Sequence, residues 1–224
     1  MSNKKSPRMP VRAVIFDLDG TLIDSYDAHL QSFQRALSRF GLTVKDEEVH
    51  RRFGKPAKQI IKEILPANQH NHIDDILKYK RLEFIETSKN MQVFEGVKTL
   101  LTHLKEKGIS ICLATSADKP SVIRVINKFD LNNYFDVIIS SNDVKEAKPN
   151  PEMFIKASKK LQVHPKNCLV IGDSPFDVIA ARKAGMDIII VDNNPFQKKE
   201  IQSYEVPMVS NINQLTNLIE INIL

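Results

Sequence analysis

The order of apolar and polar segments in this 224-residue chain predicts a doubly wound, Rossmann-like α/β fold, in which helices cover both faces of a parallel sheet. Two observations support this prediction. From residue 93 onward, strand-like apolar runs alternate with segments of helical spacing, which is typical of parallel sheets. Between about residues 46 and 89 only helical patterns occur, and we therefore predict an all-helical insertion there.

The first predicted strand covers residues 11–16, an apolar and largely β-branched run in which Arg12 is the only charge. Continuous apolar strands of this kind are buried on both faces of a parallel sheet. Residues 24–40 carry apolar side chains at helical spacing and are followed by Gly41, which predicts the first helix and its end. The helical insertion follows, interrupted by two proline-containing turns.

The rest of the chain alternates regularly between the two kinds of element. Predicted strands cover residues 109–114, 137–139, 168–171, 188–191 and 207–209. Predicted helices cover residues 95–107, 119–129, 151–161, 175–184 and 214–220. Glycines end the helices at 95–107 and 175–184, and prolines begin those at 151–161 and 175–184, the positions where each residue costs least.

Composition excludes several classes of function. The 42% hydrophobic and 26% charged residues are typical of a globular protein, and no apolar run is long enough to span a membrane. The net charge of +5 suggests nucleic-acid binding as a function. The basic residues, however, are scattered among acids without the aromatic-basic pattern of nucleic-acid-binding proteins. Cys112 and Cys168 lie in apolar strands, as free thiols of a cytoplasmic protein do. We expect no nucleic-acid or membrane partner.

Reactive side chains follow the predicted strands. The strand ends and the loops after them carry Asp17 and Asp19, Thr115 and Ser116, Lys148, and Asp173 with Asp177. Each alone is explained equally well by turn formation or helix capping. Because ligands of parallel sheets bind beyond the carboxyl ends of the strands, their joint occurrence predicts one shared site.

The chemistry that suits these groups is phosphoryl transfer. Asp17 is the predicted nucleophile, which forms an aspartyl-phosphate. Asp19 is predicted to protonate the leaving oxygen and then activate water. Lys148 and Thr115 are predicted to contact the phosphate, the first by charge and the second by its hydroxyl.

Mg²⁺ is the predicted cofactor, because carboxylate and carbonyl oxygens are its preferred ligands. Asp17, Asp173 and the backbone carbonyl of Asp19 are the predicted ligands, and Asp177 is predicted to hydrogen-bond near the metal. The residues that adjoin these positions are predicted substrate contacts: Gly20, Thr21 and Ser116.

Four segments resemble the four motifs of the haloacid dehalogenase superfamily. They are Asp-Leu-Asp-Gly-Thr at 17–21, Leu-Ala-Thr at 113–115, Lys-Pro at 148–149, and Gly-Asp-Ser at 172–174 with Asp177. They occur in the family's order and at family-like separations. The resemblance implies the same roles, with Asp17 as nucleophile and Mg²⁺ as cofactor.

The insertion lies between the first and second motifs, and so it resembles the helical cap of the phosphoglycolate phosphatase and β-phosphoglucomutase branch. This implies a cap domain of residues 24–92 and an α/β core of residues 1–23 and 93–224. The turn at 53–58 lies where that branch carries its specificity loop. Lys55 and Lys58 are therefore candidate substrate contacts, although solvent-exposed surface lysines explain them equally well.

Three functions remain open at this stage. Asp19, two residues after the nucleophile, favours phosphate esters over halogenated acids, and Gly172 before Asp173 resembles the phosphatases. Ser25 and His29 fall where β-phosphoglucomutases place residues that gate the acid-base group, and His29 is thus a candidate substrate-site residue. We predict a monomeric or homodimeric Mg²⁺-dependent phosphatase of small phosphorylated metabolites, such as phosphoglycolate or sugar phosphates. A phosphosugar mutase is the alternative, and a non-catalytic binding module has least support.

Overall fold

The computed structural model describes residues 10–216 of the chain. Its strands are β1 (Ala13–Phe16), β2 (Ile23–Asp24), β3 (Gln92–Val93), β4 (Ser110–Ala114), β5 (Val137–Ile139), β6 (Cys168–Gly172), β7 (Asp187–Val191) and β8 (Met208–Val209). Six of them form one parallel sheet in the order β5-β4-β1-β6-β7-β8. The predicted parallel sheet is confirmed.

Strand β1 lies at the centre of this sheet, between β4 and β6. Ile15 pairs with Cys112 on one side and with Val170 on the other. The strand order changes direction here, since β4 and β5 extend to one side and β6 to β8 to the other. Such a switch point opens a crevice at the carboxyl end of the central strand. Asp17 is the residue that follows β1 directly.

Helices surround the sheet and form the insertion. They are α1 (Tyr26–Ser38), α2 (Asp46–His50), α3 (Ala57–Ile64), α4 (Ile73–Thr87), α5 (Val97–Glu106), α6 (Lys119–Lys128), α7 (Glu152–Leu161), α8 (Pro175–Ala184) and α9 (Lys198–Gln202). Short 3₁₀ turns cover Ala67–His72, Ser88–Asn90, Asn132–Tyr134, Ser141–Asp143 and Pro165–Asn167. Within residues 10–216, no helix combines the length and the apolar character that crossing a bilayer requires.

The two faces of the sheet bury separate apolar clusters. Val14 and Phe16 of β1 belong to one cluster, and Ala13 and Ile15 belong to the other. Alternate residues of a strand point to opposite faces, and both faces are covered here by helices. This explains why the sequence of β1 is continuously apolar, and it confirms the doubly wound fold class.

The insertion has an apolar cluster of its own. Helices α1 to α4 contribute the members, among them Phe33, Leu37, Val49, Ile61 and Ile76. The short strands β2 and β3, which pair in antiparallel fashion, stand at the two ends of this segment. The insertion is therefore helical, as predicted, and packs around its own core.

Several predicted bounds differ from the observed ones. Strand β1 begins at Ala13 and helix α1 at Tyr26, each two residues later than predicted. Strands β2 and β3 and helix α9 were not predicted, since these short elements contain polar residues and so show no apolar run, unlike the equally short β5 and β8. The predicted helix at 214–220 lies mostly outside the described residues.

Candidate active site

Four charged side chains meet beyond the ends of β1 and β6. Asp17 follows β1, Asp173 follows β6, and Asp177 lies in the first turn of α8. One carboxylate oxygen of each lies within 4.8 Å of those of the other two. The ammonium of Lys148 lies 2.8 Å from Asp17 Oδ1 and 2.7 Å from Asp177 Oδ1. We call these four residues the strand-end cluster. All four are buried.

The electrostatics of the cluster follow from burial and from its unequal charges. Burial, opposed by Lys148 and reinforced by Asp177, raises the pKa of Asp17 to about 7. Burial and the neighbouring carboxylates of Asp17 and Asp177 raise the pKa of Asp173 well above its ordinary value. Burial alone would lower the pKa of Lys148, but Asp17 and Asp177 raise it instead. Asp17 and Asp177 thus share one ammonium, and Asp173 accepts hydrogen bonds from hydroxyl groups instead.

This charge balance fits a divalent cation. Ionised carboxylates are costly to bury without compensation, and Lys148 offsets only one of the three. Asp17 and Asp173, two of the predicted ligands, lie in the observed group. Asp177, which was predicted beside the metal, also belongs to it, but its oxygens already bind Lys148 and the Ser174 hydroxyl. Asp177 therefore fixes Lys148 and the start of α8.

Thr21, Gly20 and Tyr26 shape the position of Asp173. The Thr21 hydroxyl donates to Asp173 Oδ1 at 3.0 Å, and the Tyr26 hydroxyl donates to Oδ2. Gly20 has a positive φ, and a Cβ at this position would lie 2.4 Å from Asp173 Oδ2. The Thr21 hydroxyl thus binds the carboxylate of Asp173. The predicted contacts of Thr21 and Gly20 with substrate stay predictions.

Asp19 faces away from the strand-end cluster, towards the insertion. His29 Nε2 of α1 lies 3.0 Å from Asp19 Oδ1, and Lys80 Nζ of α4 lies 2.9 Å from His29 Nδ1. An ammonium only donates, so Nδ1 accepts and the Nε2 hydrogen points to Asp19. Burial would raise the pKa of Asp19, but His29 lowers it to about 2. Asp19 is therefore ionised in this arrangement.

A cavity of about 130 Å³ separates the strand ends from the insertion. Asp17, Asp19, Thr115 and Ser116 line its core side, and the Ser116 hydroxyl donates to the Gly54 carbonyl at 2.7 Å. The opposite side, which we call the cap wall, consists of Phe33, Phe53, Lys55, Lys58, Ile60, Leu77, Lys80 and Phe84. Four of the predicted strand-end residues and the predicted turn thus border one cavity, whereas Lys148, Asp173 and Asp177 are buried behind its lining.

The two cap lysines predicted to contact substrate border this cavity, but each has an acidic partner. Lys55 Nζ lies 2.8 Å from both oxygens of Glu63. Lys58 Nζ lies 2.6 Å from Asp74 Oδ1, and this pair is largely exposed. Their predicted role in substrate binding stays a prediction, and the structure adds that their charges are already compensated.

Comparison with known proteins identifies the family. A model of the haloacid dehalogenase-like hydrolase family matches residues 14–191. The chain belongs to this family. The predicted family is thus confirmed, and with it an enzyme of the hydrolase class, which removes the alternative of a non-catalytic binding module.

This haloacid dehalogenase-like hydrolase has similar relatives in bacteria. It is 33% identical to a candidate pyrophosphatase, PpaX, of Caldanaerobacter subterraneus, over 88% of this chain and 90% of that protein. It is 32% identical to the phosphorylated carbohydrates phosphatase of Thermotoga maritima, over 80% and 84%. A solved structure of a candidate haloacid dehalogenase-like hydrolase from Bacteroides fragilis is 27% identical, with a TM-score of 0.84 over 92% of this chain and 99% of that one.

The sequence prediction for this hydrolase missed Lys80 and Tyr26. A signal for Lys80 was present, because it follows Ile73, Ile76 and Leu77 at helical spacing and so lies on the buried face of α4. A lysine on an apolar face is rarely left without a partner. Tyr26 gave no such signal, since its contact with Asp173 joins residues that are distant in sequence.

Proposed function

We propose that this protein is a Mg²⁺-dependent phosphatase, which hydrolyses small organic phosphate monoesters through an aspartyl-phosphate on Asp17. The observation that carries the proposal is the contact of Lys148 with Asp17 inside a buried carboxylate cluster. A carboxylate aimed at phosphorus needs a cation beside it, because nucleophile and substrate are both anionic. The two named relatives, a candidate pyrophosphatase and a carbohydrate phosphatase, support phosphate as the group transferred.

In the first step, a carboxylate oxygen of Asp17 attacks phosphorus and the bond to the ester oxygen breaks. Lys148 opposes the effect of burial and so favours the ionised form of Asp17, and it attracts a phosphate oxygen, while the Thr115 hydroxyl donates to another. When bound by Asp17, Asp173 and the Asp19 carbonyl, Mg²⁺ supplies positive charge that offsets the charge of the transferred group. Asp177 and Thr21 act as positioning residues, since they orient Lys148 and Asp173.

Asp19 serves as acid and then as base. A phosphate near Asp19 raises the pKa of its carboxyl, which favours the protonated form that the leaving oxygen needs. In the second step, water attacks the phosphorus of the aspartyl-phosphate and gives a proton to Asp19, while the bond between phosphorus and the Asp17 oxygen breaks and releases phosphate and the free carboxylate. The His29 contact seen here holds Asp19 as a carboxylate, the form this second step requires.

We also propose that residues 24–92 act as a cap domain on a core of residues 1–23 and 93–224. The antiparallel pair of β2 and β3 supports these bounds, because Asp24 pairs with Gln92 where the segment begins and ends. The contact of Ser116 with Gly54 supports closure of the cap over Asp17. A closed cap excludes water from the first step and brings Lys55 and Lys58 close to the leaving group.

The test is a turnover screen with released phosphate as the readout. Phosphoglycolate, hexose and pentose phosphates and nucleoside monophosphates are offered with Mg²⁺ and again with EDTA. We expect hydrolysis of at least one monoester with Mg²⁺ and none with EDTA. If a folded, Mg²⁺-loaded protein hydrolyses no ester, the phosphatase proposal fails.

The same screen includes β-glucose 1-phosphate, for the mutase alternative. The contact of His29 with Asp19 matches the expectation that gave the mutase its support, but the named relatives are phosphatases. We expect release of phosphate from this ester or no reaction. Isomerisation that depends on a bisphosphate activator would favour the mutase.

A further inference from the structure

We propose that the cap wall selects monoesters of small, uncharged alcohols with an apolar face, and that it disfavours anionic leaving groups such as glycolate or a second phosphate. This inference rests on the proposed phosphatase function and narrows its substrate class. It concerns the leaving group alone, because the phosphate itself is bound on the core side, where Lys148 is located.

The first observation is the apolar surface of the cap wall. Five of its members carry no charge and are buried: Phe33, Phe53, Ile60, Leu77 and Phe84. Phe53 stacks on Tyr26 with ring centroids 5.3 Å apart, which holds the ring in place. An apolar leaving group gains free energy when it covers such a surface, whereas a carboxylate or phosphate placed there loses water without gaining a partner.

The second observation is that each cation of the cap wall already has a partner within the protein. Lys55 binds both oxygens of Glu63, and Lys58 binds Asp74. Lys80 donates to His29 and lies over the Phe33 and Phe84 rings, at 5.0 and 4.5 Å from their centroids. The ammonium of Lys80 therefore points towards His29, which in turn binds Asp19.

Arg81, a further cation that borders the cavity, also has a partner within the protein. Its Nε lies 2.6 Å from Asp118 Oδ2. Among the described residues that line the leaving-group side, each lysine and arginine thus has a partner within the protein. An anionic leaving group would have to break one of these pairs before it gained a cation.

Glu63 is the acid whose removal should change selectivity most. It is 31% exposed and Lys55 is 17% exposed, so water screens this pair less than the more exposed pair of Lys58 and Asp74. The variant Glu63→Gln keeps the shape of the side chain and frees Lys55 to meet an anion. Glu47→Gln is the matched control, because Glu47 pairs with Arg51 on the exposed surface of the same insertion.

The experiment compares kcat/KM for 2-hydroxyethyl phosphate and 2-phosphoglycolate, which differ mainly in that the first carries an alcohol group where the second carries a carboxylate. Benzyl phosphate is the third substrate. In the wild type, we expect both neutral esters to exceed phosphoglycolate by about tenfold or more, the ratio that about 1.4 kcal/mol gives. Glu63→Gln should lower the ratio of hydroxyethyl to glycolate ester by about fivefold, and Glu47→Gln should leave it unchanged.

The outcomes separate this inference from the function on which it rests. If phosphoglycolate equals or exceeds the hydroxyethyl ester in the wild type, the selectivity proposal fails while the phosphatase stands. An unchanged ratio in Glu63→Gln also contradicts it. If the Mg²⁺-loaded wild type hydrolyses none of these esters and none of the wider screen, both proposals fail together.

Discussion

Asp17 of the strand-end cluster and the residues of the cap wall border one cavity, but the charged pairs of the two regions differ in how far they are exposed to water. Lys148 is fully buried between Asp17 and Asp177, whose side chains are 4% and 0% exposed. On the cap wall, Lys58 and Asp74 are 60% and 80% exposed. Removing one partner of a buried pair leaves an uncompensated charge, whereas exposed pairs contribute little. The proposed reacting groups are thus fixed by their neighbours, and we expect that exposed pairs on the cap wall can be changed at small cost in stability.

The largest effect that this comparison predicts is on turnover, at Asp17. Asp17→Asn should reduce kcat by at least about 10⁴-fold, because the amide cannot attack phosphorus. It should leave the fold intact, since it removes one of three crowded negative charges. The measurements are phosphate release on the best substrate of the screen and thermal unfolding in EDTA. Turnover close to that of the wild type would exclude Asp17 as the nucleophile.

Lys148 is the next position, and here activity and stability should fall together. Lys148→Met leaves the buried carboxylates of Asp17 and Asp177 without their shared cation, so we expect a loss of about 3 kcal/mol in the free energy of unfolding. We also expect kcat to fall by about 10²- to 10³-fold. Lys58→Met on the cap wall is the matched control and should change neither quantity appreciably.

Denaturant unfolding of both lysine variants in EDTA provides the comparison. Equal stability of the two would mean that burial does not distinguish the strand-end cluster from the cap wall. The contrast between these regions would then have no energetic basis.

The same contrast explains what could be predicted from sequence. Asp17, Asp173 and Lys148 could be placed in one crevice because each follows a strand or its loop, and parallel strands end at one edge. The fold could be predicted because the strands of its parallel sheet are largely apolar runs. Strands β2 and β3 could not, since each contains one polar residue and is fixed by its pairing alone.

The cap wall could be predicted only as a location. The turn that contains Lys55 and Lys58 borders the cavity as expected, but the acids that compensate these lysines lie eight and sixteen residues further on. No local spacing relates such pairs, because turns between the helices decide which side chains meet. Whether a cap lysine is available to substrate is therefore a tertiary property, and the sequence left it open.

Lys80 shares one feature with each region, since it is buried like the strand-end cluster but lies on the cap wall. Burial lowers its pKa from 10.5 to about 8. Lys80→Met should raise stability near pH 7 by about 1–2 kcal/mol, because an apolar side chain replaces a buried charge. It should also lower kcat by about tenfold, since His29 loses the donor that fixes the hydrogen on Nε2.

The pH dependence of this gain gives a second readout. Between pH 8 and 10.5 the unfolded chain binds more protons at Lys80 than the folded protein, so the wild type gains stability as pH rises through this window. The advantage of Lys80→Met should therefore shrink from pH 7.5 to pH 10. Lys78→Met, an exposed position on the same helix, is the control. An advantage that does not depend on pH would contradict a charge effect.

The smallest effect is expected at Asp74. Asp74→Asn frees Lys58, but water already screens this exposed pair, so kcat/KM for each of the three test esters should change by less than about twofold. Glu63→Gln, in the more sheltered pair on the same wall, should change the ratio of neutral to anionic ester by about fivefold. If the two variants shifted this ratio equally, exposure would not decide which cap lysine senses the leaving group. The contrast between buried and exposed pairs would then hold for stability alone and not for selectivity.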